Sequence, residues 1–161
     1  MAEETEMAFG GVERLQPWQI GVVGGVVGGL LMGALLTAVP EMRGVIEVAI
    51  PALWTLEGGA AGWIIHMINS AVFGVVFAAI AKQRPESVRT IMNGIVSGGI
   101  YGFVLWVVAA AFIMPVWLEI VGFASPPPLP NFNVMSLVAH LLFGVGLGAV
   151  FARLMPSPEL Y

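Results

Sequence analysis

Apolar and polar positions along this chain separate into long blocks instead of alternating turn by turn. Four stretches carry no Asp, Glu, Lys or Arg: Ile20 to Val39, Gly59 to Ala81, Ile91 to Leu118 and Val134 to Ala152. At 1.5 Å rise per residue each is long enough to cross a hydrocarbon layer of roughly 30 Å as a helix. The pattern predicts an all-α, polytopic membrane protein of four transmembrane helices. The parts outside them are residues 1–19, 40–58, 82–90, 119–133 and 153–161.

A second regularity lies on top of the first. The offset that brings His66 onto His140 also brings Gly74 onto Gly148, Val76 onto Val150, Phe77 onto Phe151 and Ala78 onto Ala152. A slightly shorter offset brings Gly25, Gly29 and Gly33 onto Gly94, Gly98 and Gly102, and the longer second outer segment, with its "SPPPLPNFN", absorbs the difference. The chain is therefore expected to be two helical hairpins in parallel, related by a pseudo-two-fold axis along the membrane normal.

Glycine marks the helix contacts. Gly21, Gly25, Gly29 and Gly33 form a four-residue ladder on the first span, and Gly94, Gly98 and Gly102 repeat it on the third. The second span carries Ser70, Gly74 and Ala78, and the fourth Gly144, Gly148 and Ala152. Small residues at this spacing let backbones approach, which matters in lipid because apolar burial no longer drives one helix against another. The same ladders would serve contacts between copies of the chain.

Composition agrees: 58% of residues are hydrophobic and 10% charged, against roughly 25% charged in a soluble domain, and mean hydropathy is +0.94. The start, "MAEETEMAFGGVERLQ", is acidic where a signal peptide would be basic, so the first span is expected to remain as an anchor. Arg14, Lys82, Arg84, Arg89 and Arg153 all fall on one side of the predicted spans and only Arg43 on the other. The positive-inside rule then puts both termini in the cytoplasm. Trp18, Trp54, Trp63 and Trp117 fall near span ends, where amphipathic rings favour the interface. The outer runs "GVIEVAIPALW" and "VWLEIVGFA" read as interfacial segments, and Pro126 to Pro130 as a stiff connector. A net charge of −4 with no basic face gives no footing for nucleic acid, and the absence of cysteine excludes disulfides and thiolate metal sites.

Candidate chemistry reduces to two histidines. His66 and His140 each lie roughly six residues, or about 9 Å, inside the outer end of a span. They begin the small-residue stripes, so both are expected to point into the bundle at one level. One reading makes each a hydrogen-bonded link between helices, joining the two halves, with Asn69, Ser70, Tyr101 and Trp106 as nearby polar-capable side chains. Another makes the pair axial ligands of a b-type haem, and a third places them on a proton or ion path. No acid or further basic residue inside the spans continues such a path, and no third ligand builds a metal site. Nucleotide-binding, nucleophile-elbow and H-E-x-x-H motifs are missing, so no catalytic residue is assigned.

The runs "GWIIHMINSAVFGVVFA", "GGIYGFVLWVV", "MPVWL" and "MSLVAHLLFGVGLGAVFA" resemble a group of small four-helix prokaryotic membrane proteins of unknown function that often carry the label histidine kinase. The label does not suit 161 residues with four spans, which leave no room for an ATP-binding domain. What the resemblance implies is the four-helix fold, the two intramembrane histidines and a prokaryotic cell membrane. The expected role is non-catalytic: an accessory subunit of a larger membrane complex or a homo-oligomer, with bound lipid as a natural companion. Haem-based electron transfer and a small channel or transporter are the alternatives.

Overall fold

The computed structural model describes residues 15–155. Arg14, one of the residues in the charge argument, lies outside them. Helix α1 spans Pro17–Ala38, α2 runs over residues 40–52, α3 spans Gly59–Gln83, α4 Ile91–Ile120 and α5 Val134–Leu154. A single 3₁₀ turn, Pro85–Val88, joins α3 to α4. No strand occurs among the described residues. The four long helices each have the length and apolarity to span a bilayer, and this is a multi-pass membrane protein.

Local sequence sets the ends. Pro17 opens α1 behind a reciprocal cap in which the Gln16 backbone N–H donates to Gln19 Oε1 at 2.7 Å. Thr90 Oγ1 accepts from the Asn93 N–H to start α4, and Asn133 Oδ1 accepts from the Ser136 N–H to start α5. Gly122, at φ +76°, closes α4 by letting the Phe123 N–H return to the Leu118 carbonyl at 2.9 Å.

Two helices widen to π geometry, α2 over Val45–Ala49 and α4 over Trp106–Ile113. In both the wide stretch stops two residues before a proline, Pro51 and Pro115. A proline ring crowds the carbonyl four residues back and offers it no N–H, and inserting a residue into the turn relieves the clash. In α4 the carbonyl so released, Ala111, accepts instead from the Asn131 N–H at 2.9 Å, which pins the proline-rich connector to the helix.

The run Gly44 to Trp54, expected as interfacial, lies mostly in α2, which packs one face on the bundle. Met42, Ile46, Ile50 and Pro51 are buried and Glu47 is exposed. The close approach is to α3, where a Cβ on Gly62 would fall on the Ile46 carbonyl.

The long helices stand in an arc, α3 beside α1, α1 beside α5, α5 beside α4. Within each hairpin the two helices meet along their length, as a duplicated unit requires. Between hairpins the repeat breaks down. A two-fold axis that places α1 against α5 should place α4 equally against α3, yet α3 and α4 make no comparable backbone approach. The bundle is closed on one side and parted on the other. At the end near the α3–α4 turn the interior is filled by Ile20, Phe77, Val88, Tyr101, Leu147 and Phe151. Toward the opposite end the buried apolar residues no longer form one cluster and include two small ones around Leu36 and Ile46. The outer surface of the helices is apolar, with Leu30, Ile64, Ile68, Val72, Ile100 and Val104 all exposed, as a lipid-facing girdle needs.

Candidate ligand cavity

The glycine ladders hold the helix pairs. A Cβ on Gly21 or Gly25 would strike the α3 backbone at Gly74 or Ser70, and Gly29 meets the Ser70 side chain. Gly94, Gly98 and Gly102 meet α5 in the same manner at Gly148, Gly144 and His140, all three through carbonyl oxygens. A second α1 ladder, Gly24 and Gly28, seats Leu147 and Phe143 of α5, with Gly146 returning against Gly28. Sequence reasoning passed over this second ladder because it has no counterpart in the repeat.

That missing counterpart explains the parted side. Gly24, Gly28 and Met32 of α1 correspond by the repeat to Asn93, Ser97 and Tyr101 of α4. On the closed side α5 offers Phe143 and Leu147, and on the parted side α3 offers Asn69 and Phe73 at the equivalent positions. Gly24 and Gly28 admit the α5 backbone, and α4 has no glycine at the equivalent positions. Tyr101 instead bridges the gap, its Oη–H donating to the Phe73 carbonyl at 2.8 Å while its ring lies 5.3 Å from that of Phe77. Ser97 turns back to the Ser87 carbonyl at 2.7 Å.

Beyond Tyr101, on the side away from the α3–α4 turn, the separation opens into a cavity of about 760 Å³. Met32, Phe73, Leu105, Ala109 and Phe143 belong to its wall, and exposed Val48, Trp54, Ile113 and Trp117 to its rim. The Trp117 indole N–H donates to the Leu53 carbonyl at 2.8 Å and so ties α4 to the end of α2 across the mouth.

Both histidines line this one cavity, but they are bound differently. His66 is 5% exposed and donates Nε2–H to the Gly29 carbonyl of α1 at 2.8 Å, with the Trp63 ring edge-on at 5.9 Å. His140 is half-buried and donates Nδ1–H to the Ser136 carbonyl of its own helix at 2.8 Å. The cause is helix separation. A Cβ on Gly33 would meet the Trp63 ring and His66 Cδ2, so at this level side chains fill the α1–α3 gap. At Gly102 the α5 backbone itself occupies that place, leaving no room for an imidazole between α4 and α5.

The expected link between halves is therefore not made: His66 joins two helices of one hairpin and His140 joins none. Of the four expected partners, Ser70 donates its hydroxyl to the His66 backbone carbonyl at 2.7 Å and Tyr101 bonds Phe73. Asn69 lines the cavity, and the Trp106 indole nitrogen is buried without a partner. Trp63, expected at the interface, is turned inward against Gly33, while Trp18, Trp54 and Trp117 are exposed.

Since carbonyl oxygens only accept, each neutral imidazole keeps one unprotonated nitrogen, Nδ1 of His66 and Nε2 of His140. Neither has a partner among the described residues, and neither is sealed from solvent. No group of three or more His, Cys, Asp or Glu able to hold a metal occurs among the described residues.

The chain matches the family described as "Family of unknown function (DUF6789)" over residues 15–160 and belongs to it. No curated protein and no solved structure matches the chain.

Proposed function

We propose that this member of the DUF6789 family is a non-catalytic accessory protein of the membrane that holds an amphipathic, lipid-like small molecule in the cleft between α3 and α4. The observation that carries this reading is the cavity of about 760 Å³ with an apolar wall, a few polar groups and an open rim. Membrane ligand sites are built this way, apolar for most of their surface with convergent polar atoms for orientation. Lys82, Arg84, Arg89 and Arg153 stand at the end of the bundle opposite the cavity. Under the positive-inside rule the cleft then opens in the outer half of the membrane, with both termini cytoplasmic.

The alternatives have less support. A haem held by both histidines would need His66 Nε2, its usual ligating nitrogen, to leave the Gly29 carbonyl, or an unusual ligation through Nδ1. A conducting path would have to pass the packed layer of Ile20, Phe77, Tyr101, Leu147 and Phe151.

Native mass spectrometry of the detergent-purified protein tests the proposal. The expected spectrum has an apolar adduct of small-molecule mass that Ala109→Trp, which fills the cleft, removes. A wild-type protein that carries no adduct and takes up no added single-chain amphiphile would sink the reading.

A further inference from the structure

We infer that the molecule held in the cleft is a hydrogen-bond donor through its aromatic ring, a hydroquinone whose two hydroxyls are received by His66 Nδ1 and His140 Nε2. This inference rests on the proposed ligand-binding role and specifies its chemistry. The fixed tautomers are its basis. Both imidazoles have already given their only N–H to backbone carbonyls, one on α1 and one on α5 itself. What remains toward the cavity is a pair of lone pairs, and a lone pair is satisfied only by a donor.

Asn69, Asn131, Asn133 and Ser136 also line the cavity and can either donate or accept, whereas the two imidazole nitrogens can only accept. No Lys or Arg lines it, and its one charged lining residue is Glu41. The Trp117 indole N–H is spent on Leu53 and the Ser70 hydroxyl on His66 O. A ligand carrying only acceptors, such as a quinone or an ester, would displace water from two lone pairs and set groups of like polarity against them, which is a direct cost. A hydroxyl on an aromatic ring is a stronger donor than an aliphatic alcohol. The ring also finds apolar and aromatic neighbours in Phe73, Phe143 and Met32, and its tail can leave over the exposed rim that includes Ile113 and Trp117.

The test compares an alkyl hydroquinone with a ten-carbon tail and its dimethyl ether, titrated anaerobically into the purified protein in lipid nanodiscs and followed by calorimetry. The two probes share body and tail and differ in their donors. Two neutral hydrogen bonds at about 0.5 to 1.5 kcal/mol each correspond to a hydroquinone preference of about fivefold to a hundredfold. His140→Phe, at the half-buried histidine, should cut the ratio of hydroquinone to ether affinity several-fold whatever it does to the affinity for the ether itself, and His66→Phe should act in the same direction. Equal binding of the two probes, or a preference that survives undiminished at His140→Phe, overturns the donor inference and leaves the cavity reading standing. Failure of both probes to bind overturns the inference together with the reading it rests on.

Discussion

Neighbouring glycines on α4 have opposite surroundings. A Cβ on Gly98 would be driven into the Gly144 carbonyl, whereas one on Gly99 would meet only Val145 Cγ2 at 3.8 Å. Overpacking a close helix contact costs about 1 to 3 kcal/mol, while replacing an unneeded helical glycine returns roughly 0.5 to 1 kcal/mol of backbone entropy. Gly98→Ala should therefore lower the thermal stability of the purified protein and Gly99→Ala should leave it equal or raise it. Equal losses at both would refute the contact as described. The four-residue glycine spacing was readable along the chain. The role of Gly24 and Gly28 was not, because glycines on a second face look like surplus small residues until a second neighbour is known. The histidines show the same limit. Duplication in sequence said that two exist at one level, but the direction of each ring depends on whether a side chain or a backbone lies across from it.

Among the elements, length and charge-free runs were enough to place all four spanning helices, since lipid demands an unbroken apolar segment with its backbone bonds satisfied internally. The deviations come from proline. Pro115 widens the turns before it and frees the Ala111 carbonyl for Asn131. Restoring an N–H with Pro115→Ala would give Ala111 a partner in its own helix, and the connector would lose its anchor. Amide hydrogen exchange should then become faster across residues 123–133 with little change in α1. Unaltered protection there would mean that the connector is held by Phe132 against Trp106 and Phe112 instead. The packing of Gly44 to Trp54 on the bundle was not legible in the sequence. A short apolar helix with one acidic residue has the same composition whether it rests on lipid or on its own bundle.

In the whole molecule the decisive feature is that two similar hairpins do not pack symmetrically. Phe73 and Leu147 are equivalent by the repeat, yet Phe73 lines the cavity and Leu147 is fully buried under α1. The chain has no cysteine of its own, so single substitutions report cleanly. A thiol at Phe73→Cys should react with N-ethylmaleimide about tenfold faster or more than one at Leu147→Cys, because reaction needs a solvent-accessible thiolate. Comparable rates would mean that the α3–α4 side is closed.

The order of apolar blocks, the duplication, the four helices and the glycine faces within each hairpin follow from the chain alone, because they depend on residues near one another along a helix or on an exact repeat of them. Where the cavity lies, and that it exists, was decided only when the hairpins met. Glycines 24 and 28 let α5 come against α1, while on the other side the repeat has no such glycines and the Tyr101 side chain stands between α4 and α3. That difference is a relation between distant surfaces, which no local pattern contains.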